Sequence, residues 1–310
     1  MDKKLRIGLV LGSGSARGWS HIGVINALAR LGIVPDVVCG CSIGSVVAAS
    51  YATGKMDRLE EWVYSLTRLD VARLFDINLS MNGFVDLERL QTFLTSYVCD
   101  DKQQIESVGK VFASVATDLE TGREVWFTEG SMSEAVWASM SLPGIFPPVR
   151  QQGRWLVDGG LVNPVPISLC RAMGAQVVIA VNLNGDIVGK HFYHQTAKEE
   201  SKPDEEKVGL AANLTKSLKE YSSLLFPAND KIRPPGVFES LASSVNITQD
   251  RITRSRMAGD PPDIILTPKL SHLGLLEFYR AEEAIAEGER CVIRMREQLQ
   301  DIMDVASYSL

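Results

Sequence analysis

Two short apolar runs near the start of the chain each end in glycine, and each is followed by a helical pattern. No other feature of the sequence restricts the fold so strongly. Leu5 to Leu11 (LRIGLVL) reads as a buried strand running into the turn Gly12-Ser13-Gly14-Ser15-Ala16-Arg17-Gly18, after which Ile22, Ile25, Leu28 and Leu31 recur at helical spacing. Gly32 stops that helix, Pro35 precedes a second strand at Asp36 to Gly40, and a helix of small residues covers about Ile43 to Ala52. Strand, helix, strand, helix in so short a stretch means a parallel βαβ unit with a right-handed crossover. Both turns then leave the carboxyl ends of neighbouring strands.

The pattern continues to about residue 183. Asp57 to Leu66 and Asp86 to Tyr97 read as helices, Lys110 to Thr117 and Glu124 to Thr128 as strands turning at Thr121-Gly122, and Ser133 to Met140 as a short helix stopped by Pro143-Gly144. Trp155-Leu156-Val157 leads into Asp158-Gly159-Gly160, and a helix over Ile167 to Met173 feeds an apolar strand at Gln176 to Val181. Residues 1–183 are thus expected to form the core. The remainder, 184–310, is expected to be a polar surface loop (Asn184 to Lys207) followed by helices packing on that core. Leu210, Leu214, Leu218 and Tyr221 share one helix face, and Phe238, Leu241 and Val245 suggest another helix. These faces fit either core packing or a lid that touches a membrane surface. A late strand is expected at Asp263 to Thr267, and one long helix from Leu275 to Met303.

Composition removes several classes of function. A chain of 310 residues buries enough apolar surface to need no disulfide or metal staple. The five cysteines (Cys39, Cys41, Cys99, Cys170, Cys291) contain no C-x-x-C pair, which fits a reducing, cytoplasmic setting. Cys39-x-Cys41 and His191-x-x-His194 lack the further ligands of a closed metal site, so no metal and no cofactor is expected. With 32 Lys and Arg against 38 Asp and Glu, the net charge of −6 offers no cationic field for nucleic acid. No stretch reaches the ~18 apolar residues that span a bilayer, so a soluble protein, at most peripheral to a membrane, is expected.

The sharpest chemical signal is Gly40-Cys41-Ser42-Ile43-Gly44, a G-x-S-x-G string at a strand-to-helix junction. A nucleophilic serine there sits on a strained turn that thrusts its hydroxyl outward, and flanking glycines let strand and helix approach. Ser42 would also lie at a helix N-terminus, where negative charge is favoured. The alternative is a tight turn whose serine only caps the helix. The upstream turn Gly12 to Gly18 presents successive backbone N–H groups. It fits an oxyanion hole, with donors at Gly14, Ser15 and Ala16 and a positive charge at Arg17, or a dinucleotide site with Asp36 on the ribose. A base is needed, and none of His21, His191, His194 and His272 stands in a motif; Asp158, before two glycines that allow a sharp turn, is the other candidate. Because an aspartate of ordinary pKa near ~3.9 is a feeble base, its site must desolvate it.

Together, Gly14-Ser15-Ala16-Arg17-Gly18-Trp19-Ser20-His21-Ile22-Gly23-Val24, Gly40-Cys41-Ser42-Ile43-Gly44 and Asp158-Gly159-Gly160 resemble the patatin-like phospholipase family. Bacterial members related to the neuropathy target esterase catalytic domain look closest. The resemblance covers about residues 5 to 183. It implies a three-layer α/β/α fold with a mostly parallel central sheet, a Ser-Asp dyad made of Ser42 and Asp158, and an oxyanion hole in the glycine-rich turn. The substrate it implies is a phospholipid, a lysophospholipid or another long-chain acyl ester, without a catalytic metal. The family commonly has an unbroken glycine run where Ser13 and Ser15 stand here, which bears on hole geometry if φ must be positive. A regulatory or scaffolding protein with a vestigial hydrolase site remains a second reading and a dinucleotide-binding oxidoreductase using the Gly12 to Gly18 turn a third; the rival α/β-hydrolase fold would need a late base histidine such as His272.

Overall fold

The computed structural model describes residues 5–74, 87–186 and 237–308. Strands are β1 (Ile7–Leu11), β2 (Val37–Cys41), β3 (Val111–Asp118), β4 (Glu124–Phe127), β5 (Val149–Gln151), β6 (Arg154–Asp158), β7 (Val177–Val181) and β8 (Ile264–Leu266). In the first half the helices are α1 (Ser20–Arg30), α2 (Ile43–Thr53), α3 (Met56–Ser65), α4 (Arg68–Leu74), α5 (Leu87–Tyr97) and α6 (Met132–Met140). The rest are α7 (Ile167–Ala172), α8 (Val237–Gly259), α9 (Ala281–Arg294) and α10 (Arg296–Tyr308). Most of the segment expected as a polar loop, the helix face of Leu210 to Tyr221, and both His191 and His194 lie outside the described residues.

One eight-stranded sheet has the order β5-β6-β3-β2-β1-β7-β8, with β4 also paired to β3. The run β3-β2-β1-β7-β8 is parallel, while β4, β5 and β6 join by antiparallel pairing. Side chains alternate across it as a pleated strand requires: Leu9 and Leu11 enter the larger apolar layer with α1, α2 and α6, and Val10 enters the smaller one with α7. Helices therefore cover both faces, as a parallel sheet with near-continuous apolar strands demands. This is the expected three-layer α/β/α arrangement.

The register around β3 positions the site. Cys41 at the end of β2 lies opposite Val115, and Asp158 at the end of β6 lies opposite Ala116. Val115 and Ala116 both pair with β4 on the other edge of β3, so β6 continues the edge that β2 leaves. The end of β2 and the end of β6 are thereby brought to neighbouring positions along one strand.

The C-terminal region differs from the single long helix expected from Leu275. Residues 271–280 form a strap of successive turns and α9 begins only at Ala281. The carbonyls that would start that helix are engaged elsewhere: Leu275 O accepts from the Ser15 hydroxyl and the Ala16 amide, and Phe278 O accepts from Trp19 Nε1. α9 then crosses α1 backbone to backbone. A Cβ on Gly23 would lie 1.9 Å from Ile285 O, and one on Gly288 would lie 2.0 Å from Ser20 O, so only glycines permit this crossing.

Candidate active site

Ser42 links β2 to α2 with φ 56° and ψ −127°, a backbone conformation that costs a non-glycine residue about 1–3 kcal/mol and survives only where its surroundings hold it. The surroundings do so on both sides. The Ser42 amide donates to Ser139 Oγ at 2.9 Å, and its carbonyl accepts from the amide and the hydroxyl of Ser45 at 2.8 and 2.6 Å. Gly40 and Gly44 lie so close that a Cβ on Gly40 would meet Gly44 O at 2.4 Å, while one on Gly44 would meet Leu11 O at 2.0 Å. Strand and helix approach through these two glycines, and the Ser42 side chain is left partly exposed at the N-terminus of α2.

Asp158 is 1% exposed and is held from every side. Its Oδ2 accepts from Ser42 Oγ at 2.5 Å and its Oδ1 from the Gly160 amide at 2.7 Å; its own amide donates to Ser141 O, and its carbonyl accepts from Thr117 Oγ1. Burial pushes the carboxyl up to about 6, against the opposing pull of the Ser42 and Gly160 hydrogen bonds. Gly159 packs against the Val115 carbonyl, and Gly160 against the side chain of Gln249 from α8.

The glycine-rich turn stands beside this pair. Ser15–Trp19 forms a 3-10 turn, with Gly18 against Ile43, the residue after Ser42. Its amides divide into two groups. Gly12 donates to Val181 O, Ser13 to Pro164 O, Ala16 to Leu275 O at 3.2 Å and Arg17 to Gly14 O. Among the described residues the amides of Gly14 and Ser15 have no acceptor, and both residues line the same cleft as Ser42 and Asp158. Ala16, expected as a third donor, is engaged by the strap. Ser15 takes the left-handed conformation (φ 51°) that glycine would adopt more easily, and its hydroxyl donates to Leu275 O at 2.6 Å.

Arg17 is neither at the surface nor in an ion pair among the described residues. Its buried guanidinium donates to Gly14 O at 3.1 Å, Leu183 O at 3.3 Å and Asn246 Oδ1 at 2.9 Å, and burial lowers its pKa to about 10. Because the peptide unit is planar and trans, holding the Gly14 carbonyl also directs the Ser15 N–H to the opposite side.

The histidines stand elsewhere. His21 is fully buried and shares a 2.8 Å hydrogen bond with Gly12 O; burial lowers its pKa to about 4, so it is neutral and donates through Nε2. His272 Nε2 lies 2.5 Å from Glu283 Oε1 on the strap side, outside the cleft lining. Asp36 accepts from the Ile7 amide at the start of β1, the opposite end of the sheet from the glycine turn, which removes the ribose contact a dinucleotide site would need. Among the described residues no group of three His, Cys, Asp or Glu side chains could hold a metal, and the described cysteines are all free and buried.

The cleft spans about 1030 Å³ with its open mouth, and its walls are mostly apolar, with Arg89, Asn246 and Gln249 as polar members besides the groups around Ser42. Sequence reading missed Ser139, Thr117 and Gln249. Ser139 and Thr117 act from α6 and β3 through single hydrogen bonds, and nothing in their local sequence distinguishes them. Gln249, which accepts from Ser13 Oγ and Asn184 Nδ2 at 3.0 Å each, lies on a helix 236 residues beyond Ser13.

A patatin-like phospholipase family model matches residues 9–171. An uncharacterized NTE family protein of Mycobacterium tuberculosis is 31% identical over 91% of this chain and 89% of its own length. Patatin-like phospholipase domain-containing protein 6 of Homo sapiens is 36% identical over 57% of this chain and 13% of its own, and lysophospholipase NTE1 of Pyricularia oryzae is 28% identical over 95% and 19%. The solved structure of VipD from Legionella pneumophila superposes with a TM-score of 0.46 at 15% identity, covering 96% of this chain and 67% of that one.

Proposed function

Because this chain belongs to the patatin-like phospholipase family, we propose that it is a serine lipid-acyl hydrolase working through Ser42 and Asp158. The observation that carries the proposal is the 2.5 Å hydrogen bond from Ser42 Oγ to a carboxylate sealed from solvent, with no histidine between them. Desolvation makes Asp158 a stronger base than an exposed aspartate, and the strained Ser42 turn presents the hydroxyl to the cleft.

In the proposed reaction, Ser42 Oγ attacks the ester carbonyl carbon while its proton passes to Asp158 Oδ2. The carbonyl oxygen becomes an oxyanion that accepts hydrogen bonds from the Gly14 and Ser15 amides, with the N-terminus of α2 adding a favourable dipole. Collapse of the tetrahedral intermediate breaks the ester C–O bond, and the departing alcohol takes the proton back from Asp158. Water then attacks the acyl-serine with Asp158 again taking the proton, and the fatty acid leaves with Ser42 restored.

The apolar cleft supports phospholipid, lysophospholipid or similar acyl-ester substrates, drawn from micelles or a membrane surface. No described helix is long and apolar enough to cross a membrane. The test is release of fatty acid from octanoyl- and hexadecanoyl-lysophosphatidylcholine by the wild-type protein and by Ser42→Ala. Loss of about four orders of magnitude in kcat is expected, and equal turnover by the variant overturns the proposal.

A further inference from the structure

From Ser42 one apolar direction of the described cleft runs along α2 and ends on an aromatic wall, while Met140, Leu142, Ile145 and Phe146 line another side. Ile43 and Val46, at positions 1 and 4 of α2, form its floor. At the far side the Trp62 ring from α3 lines the cleft with Tyr97 of α5 stacked behind it, ring centroids 5.1 Å apart. Phe93 packs beside it at 4.8 Å, and the buried Trp19 meets it edge-on at 6.3 Å. The wall is tied to α2 itself, since Ser50 Oγ donates to Tyr97 O at 2.9 Å.

These contacts set the scale of the space between the nucleophile and the wall. Trp62 shares the cleft with Val46, and the backbone of Tyr97 behind it is bonded to Ser50; taking those two α2 positions, four and eight residues beyond Ser42, as the scale gives roughly 6–12 Å at the helical rise of 1.5 Å. An extended alkyl chain advances ~1.3 Å per carbon, from ordinary bond lengths and tetrahedral angles, so about five to nine carbons fill that space.

We propose that Trp62 is a specificity-determining residue that limits the acyl chain accepted by this site to medium length, about six to ten carbons once the carbonyl carbon held at Ser42 is counted with the five to nine beyond it. The proposal rests on the hydrolase reading of Ser42. Each methylene that enters the apolar groove strengthens transition-state binding by about fourfold until the ring is reached. Beyond that point a longer chain must bend away from α2, or displace a tryptophan held on three sides by other rings.

The test is kcat/KM for p-nitrophenyl butanoate, hexanoate, octanoate, decanoate, dodecanoate and hexadecanoate, kept below their aggregation limits, with wild type, Trp62→Ala, Trp62→Leu and Ser42→Ala. The wild-type profile should peak near octanoate and fall by about tenfold or more at hexadecanoate. The peak should move by about four carbons, the depth of the ring removed, in Trp62→Ala, and by less in Trp62→Leu. A wild-type rate that climbs steadily to hexadecanoate overturns the proposal, and so does an unmoved peak in whichever Trp62 variant folds. Those results leave the hydrolase reading intact as long as Ser42→Ala abolishes turnover; esters that are hydrolysed equally by Ser42→Ala sink that reading, and the length limit with it.

Discussion

Ser42 Oγ donates to Asp158 Oδ2 across 2.5 Å although 116 residues separate them, and β3 is the reason. Cys41 and Asp158 lie opposite adjacent residues, Val115 and Ala116, on one edge of that strand. The geometry of the Ser42–Asp158 pair is therefore a property of sheet register, and a one-residue slip of β6 would turn the Asp158 side chain to the other face.

Replacing Asp158 by Asn should separate activity from stability. The carboxyl titrates near 6 in the folded protein and near ~3.9 when unfolded, so between those values the folded state holds more protons. Stability falls as pH rises through that window, and above it the buried carboxylate costs about 3 kcal/mol. Asp158→Asn keeps the Oδ1 acceptor for the Gly160 amide and turns a neutral Nδ2 donor toward Ser42 Oγ, so the site stays bonded without the charge. It should lose about a thousandfold or more in kcat yet unfold at higher urea concentration than wild type at pH ~8, with the advantage vanishing toward pH ~4. A destabilised variant at the higher pH contradicts this.

The same burial sets the pH dependence of turnover. Only the carboxylate accepts the Ser42 proton, so kcat/KM for an uncharged ester should rise through a midpoint near pH 6 and flatten above pH ~7. A midpoint in the ordinary carboxylate range, near ~4, would mean that Asp158 is not the group whose ionisation limits the rate.

Arg17 should behave as a positioning residue. Arg17→Met removes the side-chain donor on the Gly14 carbonyl, leaving only the Arg17 amide there, and loosens the peptide unit that aims the Ser15 N–H into the cleft. Steady-state kinetics should show kcat lower by about tenfold to a hundredfold, with KM within about twofold, because a ground-state ester gains little from that amide. A change confined to KM points instead to a role in substrate binding.

Gly44→Ala tests the elbow. The added Cβ would sit 2.0 Å from Leu11 O, which belongs to a central strand and cannot yield. Thermal unfolding should show a loss of about 3 kcal/mol or more, or no folded protein at all. An alanine tolerated there would mean that α2 and β1 are not in this contact.

Much of this was legible in the sequence where the constraint is local. The glycines at 40 and 44 mark a close strand-to-helix approach, and Asp158 before Gly159-Gly160 marks a sharp turn, so elbow and acid could be named without knowing their separation. The strap at 271–280 could not be read, because Leu275 to Arg280 carry helical spacing and leave the helix only to bond Ser15, Ala16 and Trp19 more than 250 residues earlier. The engagement of Ala16, the burial of Arg17 and the α4 helix are hidden for the same reason, since each depends on partners that local pattern does not specify. The antiparallel β5–β6 hairpin is similar: its strands are short, and only β6 shows as Trp155-Leu156-Val157.

Labelling with a fluorophosphonate probe, followed by peptide mass spectrometry, asks which side chain is the nucleophile. The adduct should map to Ser42, form more slowly in Asp158→Asn and be absent in Ser42→Ala; an adduct on another residue, or one that survives Ser42→Ala, contradicts a Ser42–Asp158 dyad.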